Sequence, residues 1–142
     1  MTVTLNIEDQ QAGYMRIDLQ GHATAALLLG QVLNPEGQNL HIIEGYLYTQ
    51  TPSVAAATMN IGIAATGVDA SDLASAIEMN KTAGSVNVIV GTDIASEGAM
   101  TTPKGVNWDS GEYLTITTAA QISTAFRGVL LIKYLRLGDL AQ

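Results

Sequence analysis

The side chains able to do chemistry in this 142-residue chain are two histidines, a set of carboxylates and many hydroxyls; there is no cysteine. A metal centre on a β scaffold needs imidazoles and carboxylates converging at ligand spacing, His-x-His above all. His22 follows Gly21 in a turn-like stretch and His41 sits between Leu40 and Ile42, so neither has such a neighbour. His41 reads as a packed or interface imidazole. Carboxylates fall in the pairs Glu8-Asp9, Asp69/Asp72, Asp93/Glu97 and Asp109/Glu112. Glycoside hydrolysis requires two such groups facing one cleft, but these acids lie in turn and loop stretches, where they are solvated, cap a helix or close a turn. Asp69 and Asp72 have oxygens to offer a loosely held Ca²⁺, yet the ordered D-x-D-x-D-G loop is absent. Ser96 in "GTDIASEGA" lacks the G-x-S-x-G setting of an activated nucleophile, and "GQVLNPEG" lacks the G-K-[ST] of a phosphate loop. We assign no catalytic, cofactor-binding or metal-ligating residue, and the chain reads as a non-enzyme with no cofactor.

The elements around these residues read mostly as strands. "TVTLNI" (residues 2–7) and "YMRIDLQ" (residues 14–20) alternate apolar and polar side chains, the period of a half-buried strand. "ALLLGQVL" (26–33) runs into the turn "NPEG", where Pro35 suits the second position and Gly37 the fourth. Further strands are read at 39–51, 57–66, 85–91, 112–119 and 126–137. In "GVNWDSGEYLTITTA" one strand ends at Trp108, a turn occupies Asp109-Ser110-Gly111, and another strand begins at Glu112. Trp108 and Tyr113 flank that turn and are expected to pack over one end of the core.

One segment breaks the pattern. In "SDLASAIEMNKTAG", Ser71 suits an N-cap, Leu73 and Ile77 stand four apart, and Gly84 is a stop, which predicts a two-turn helix over residues 72–80. The fold expected is all-β: an antiparallel sandwich, jelly-roll-like, of about eight strands with one short connecting helix. Residues 1–13 form an N-terminal arm or an edge strand, and residues 14–142 a single sandwich domain.

Composition narrows the class. Hydrophobic residues are 47% and charged residues 13%, about half the usual share of roughly 25%. Disordered chains show the reverse balance. A surface so poor in charge suggests partial coverage by another subunit or partner. The net charge is −7 with six scattered basic residues, so there is no run of Lys or Arg to neutralise phosphates, and nucleic acid is excluded as a partner. Arg127, Lys133 and Arg136 share one strand and are read as a solvated face. "MTVTLNIEDQ" is no signal peptide, and stretches such as "GVLLI" are far short of the ~20 apolar residues that span a bilayer. The reading is a soluble chain with no membrane partner.

The order "ALLLGQVLNPEGQNLHIIEGYLY", "AAATMNIGIAATG", "VNWDSGEYLTITTAAQISTAFRGVLLIKYLRLG" is similar to a group of small tailed-bacteriophage virion proteins. It resembles capsid decoration (cement) proteins and related head-surface proteins of β-sandwich type. The features that carry the likeness are the NPEG-type turn before a long aromatic strand, the W-x-x-G-E-Y-L-T turn and a last strand bearing K-Y-L-R-L. They extend over about residues 23–138 and are structural, not an active site. The resemblance implies a homotrimer on the outer surface of the virion capsid, made in the host cytoplasm. Its partners would be the major capsid protein and itself, with capsid subunits clamped together at three-fold and quasi-three-fold positions. The alternative from another class is a carbohydrate-binding β-sandwich of a head fibre or tail, using Trp108, Tyr46 and Tyr48. The alternation of the N-terminal segment would let it add as an extra strand to an exposed sheet edge.

Overall fold

The computed structural model describes residues 11–24, 28–66, 68–89, 106–119 and 122–137. Nine strands run through them: β1 (Ala12–Gln20), β2 (Leu28–Leu33), β3 (Leu40–Thr51), β4 (Thr58–Ala64), β5 (Ala74–Glu78), β6 (Val86–Val88), β7 (Val106–Trp108), β8 (Tyr113–Ala119) and β9 (Arg127–Arg136). They form two antiparallel sheets. Sheet A has the order β1-β9-β3-β6, with the short β7 also paired to β3; sheet B has the order β2-β8-β4-β5. The expected all-β sandwich is what the chain builds, and no helix occurs among the described residues. The strand read at residues 2–7, most of the arm or edge strand read at residues 1–13, and Asp93, Ser96 and Glu97 lie outside them; residues 12 and 13 open β1.

Alternation decides which side chains are buried. Along β9, Leu130, Ile132 and Tyr134 point inward while Leu131 and Lys133 point out. β3 keeps Leu40 and Ile42 inside, slips register between Ile42 and Glu44, and then buries Leu47 and Thr49. That bulge absorbs one residue and so reverses the parity of the strand's second half. Between the sheets, Trp108, Phe126, Met59, Ile61, Leu114 and Ile116 are fully buried with these side chains. Each large aliphatic side chain removed from water contributes about 1.5–3 kcal/mol.

The helix expected over residues 72–80 is not formed; β5 occupies its middle. Leu73 and Ile77 stand four apart, a spacing that a strand of period two satisfies as well as a helix does. The alternation of buried Ile77 and Met79 with exposed Glu78 and Asn80 settles it as extended chain. Ser71 does not cap a helix. Instead the Leu73 amide donates to the Ile61 carbonyl, and the Asp72 carboxylate accepts from the Ile63 amide at 2.7 Å. The register slips between Met59 and Ile61, and Ala76 takes a positive φ of 54° within the slip.

Candidate functional site

Among the described residues, those able to do chemistry are dispersed by the fold. His22 lies in the loop after β1, where its backbone amide donates to Ser123 Oγ at 2.9 Å and its own Nδ1 accepts from the Thr24 amide. His41 lies half-buried on the outer side of β3, with Nδ1 2.6 Å from Asn107 Oδ1. The half-buried His41, with Asn107 beside it, suits the reading of a packed or interface imidazole, whereas His22 is exposed. Among the described residues no group of three His, Asp or Glu side chains is arranged to hold a metal ion.

The acids are used locally. Glu112 Oε2 accepts from the Asp109 amide at 3.0 Å, closing the turn at Gly111, whose φ is 88°. Asp69 accepts from Asn60 Nδ2 at 3.0 Å and from the Thr117 hydroxyl. Together with Asp72 on Ile63, these bonds hold the β4–β5 loop down over the outer side of sheet B. Gly62 permits the approach, since a Cβ there would meet the Ala70 carbonyl carbon at 2.6 Å and run into Asp72 Oδ1. These carboxylates therefore brace a loop rather than converge on a cleft.

Trp108 is sealed in the core, its indole Nε1 donating to the Glu112 carbonyl at 2.9 Å. Asn34 Nδ2 donates to the carbonyls of Trp108 and Gln38, both at 2.9 Å, so the NPEG turn and the W-D-S-G turn are riveted together. A buried indole cannot stack on a sugar, which removes Trp108 from the carbohydrate-binding set.

An ion-pair cluster sits at the same end of the sandwich. Arg136 grips Glu36 through Nε and through Nη2, the latter at 2.6 Å; the Tyr134 hydroxyl donates to Glu36 Oε1 at 3.1 Å. Arg136 Nη1 also reaches the Ala12 carbonyl at 2.9 Å. Arg136 thus follows the inward parity of β9 and does not share the outer face with Arg127 and Lys133, as their common strand had suggested. Its guanidinium holds the Glu36 carboxyl below the ordinary carboxylate value, against a smaller upward push from burial. Burial, with Glu36 beside it, pushes the Tyr134 phenol up.

What remains is a surface. The outer side of sheet A carries Tyr14, 75% exposed, and Tyr46, Tyr48, Leu131, Val86 and Val88, each between 38% and 56% exposed. The register makes them contiguous: Arg16, Leu131, Tyr46 and Val88 lie in one row across the sheet, and Asp18, Val129, Tyr48 and Val86 in the next. An open groove of about 360 Å³ crosses this face, bordered by Tyr14, Arg16, Glu44 and Tyr46. The Lys133 ammonium stands 5.6 Å from the Tyr14 ring centre. Sequence reading missed this face because "GVLLIKYL" is apolar on both sides of its strand, which leaves open whether the outer side is covered.

No protein-family model matches the chain, and no curated protein matches it. Among solved structures, a chain in the capsid of Ralstonia phage GP4 shares its fold with a TM-score of 0.55 at 15% identity, covering 96% of this chain and 91% of that one. A chain from the structure of infectious bursal disease virus Gx strain gives a looser likeness, with a TM-score of 0.40 at 16% identity over 98% of this chain and 38% of its own. The fold of this chain is therefore similar, nearly end to end, to that of a chain found in a phage capsid.

Proposed function

We propose that this chain is a structural virion protein, a decoration or cement protein that binds the outer surface of a phage head as a trimer and stabilises it. The observation that carries the reading is the exposed apolar face of sheet A, on a fold shared over nearly its full length with a chain of a phage capsid. Side chains such as Tyr46 and Leu131, left in water on a flat sheet, gain free energy only when another surface covers them. The function is mechanical, not enzymatic: among the described residues, Asp69, Asp72 and Glu112 are spent on bracing a loop and a turn. The strand orders β1-β9-β3-β6 and β2-β8-β4-β5 support a jelly-roll reading of the sandwich, because successive strands alternate between the sheets except at β4–β5 and β6–β7.

Co-sedimentation with undecorated mature heads tests the function. The protein is expected to pellet with the heads at a fixed ratio and to raise the temperature at which they release DNA. Protein left in the supernatant at micromolar concentration would remove the reading. Binding on a glycan array, abolished by Tyr46→Ala, would instead favour the carbohydrate-binding alternative.

A further inference from the structure

We infer that the outer face of sheet A is a two-fold contact between copies of this chain, packing the same face of a second copy across the groove between Tyr14 and Tyr46. This self-contact goes beyond the trimer proposed above, because like faces meet about a two-fold axis whereas a three-fold ring joins unlike patches.

Two observations choose a second copy as the occupant. The first is area. Tyr14, Tyr46, Tyr48, Leu131, Val86 and Val88 leave on the order of 500 Å² in solvent, taking ~150–250 Å² as the whole area of an aromatic side chain. This lies at the upper end of the roughly 300–600 Å² reached by the largest apolar patch of a typical monomer. It is also more than half of the ~800 Å² that each side of a stable interface buries. With a polar rim added, the face is large enough for a stable self-contact. A sheet face is also a suitable shape, since two sheets pack face to face at about 10 Å.

The second observation is charge. The chain carries −7, so two copies repel wherever their acidic surfaces meet. On this face the charges nearly cancel. Arg16 is ion-paired with Asp18 at 2.9 Å, and Lys133 stands in register with Glu44. Arg127, at the far end, leaves the face at +1. The opposite side of the sandwich differs: Asp69, Asp72 and Glu78 are exposed there, with no Lys or Arg beside them among the described strands of sheet B. The face of sheet A is thus where a second copy meets apolar surface with little electrostatic penalty.

Sedimentation velocity over a micromolar concentration series, with no heads present, tests this. The wild type is expected to run as an oligomer, and Leu131→Glu to weaken association at least tenfold. Val54→Glu, an equally apolar and more exposed position away from the face, should leave it unchanged. Because Leu131 lies on a central strand, hydroxyl-radical footprinting of the wild type supplies a second readout: Tyr14, Tyr46 and Tyr48 should become protected as concentration rises. A monomeric wild type with constant tyrosine labelling overturns the inference, as does a folded Leu131→Glu that assembles like the wild type. If the monomer's tyrosines are protected only on heads, the face belongs to the capsid subunit and the self-contact is refuted. An oligomer that ignores heads leaves the self-contact standing and removes the decoration function.

Discussion

Two buried threonines with identical side chains face different circumstances in this sandwich. Thr115 Oγ1 donates to the Gly62 carbonyl at 3.3 Å, so its hydroxyl is partnered under the β4–β5 loop. Thr49, fully buried on the inner side of β3, has a hydroxyl with no hydrogen-bond partner among the described residues. An unmade hydrogen bond in the core costs about 1–3 kcal/mol of desolvation, whereas an apolar group of the same shape avoids that cost. Thr49→Val is therefore expected to be neutral or to stabilise the fold by up to about 1 kcal/mol, while Thr115→Val should cost about 1 kcal/mol. Urea midpoints of the two variants measure both. A destabilised Thr49→Val would show that its hydroxyl has a partner after all.

At the scale of elements, β5 is held in place as much by a side chain as by its ladder. Where the β4–β5 register slips, Asn60 Oδ1 accepts from the Ala76 amide at 2.9 Å, while its Nδ2 reaches Asp69. One amide side chain thus satisfies a backbone donor that the bulge has taken out of the ladder and anchors the loop leading into the strand. Asn60→Ala removes both bonds and is expected to cost about 1–3 kcal/mol. It should also speed hydrogen exchange at Ala76 more than at Ile116 in the central strand. Uniform exchange, with an unchanged melting temperature, would deny Asn60 this role. The slip also explains why this element was misread from the residues. A strand with one extra residue and a left-handed Ala76 has no clean alternation, so the four-residue interval from Leu73 to Ile77 looked helical. β1, β3 and β8, whose patterns are longer, were legible to within two residues at their ends.

At the scale of the molecule, the Glu36–Arg136–Tyr134 cluster joins the β2–β3 turn to β9 and, through Ala12, to β1. It closes one end of the sandwich by linking segments about 100 residues apart in sequence. Because the folded Glu36 carboxyl titrates below its ordinary value of 4.5, its contribution to stability is present above that value. It is lost as pH falls through the depressed folded value, when the carboxyl takes up a proton and releases Arg136. Glu36→Gln should therefore be less stable than the wild type at neutral pH, and the gap should close on acidification below 4.5. Thermal unfolding of both proteins across that range checks it; a constant gap would exclude the ion pair as its source.

The sequence by itself determined the class of object. Alternation in segments such as "YMRIDLQ" and turn residues such as Pro35, Gly37 and Gly111 impose strands and reversals locally, because side-chain parity and backbone sterics act over a few residues. Only the tertiary structure decided that Trp108 is sealed inside, that Arg136 turns away from Lys133 toward Glu36, and that Leu131, Tyr46 and Val88 line up as one exposed row. Those outcomes depend on which strands become neighbours and in what register, set by the summed packing of residues far apart in the chain. A strand's own pattern names its two faces; its neighbours alone determine which face the solvent sees.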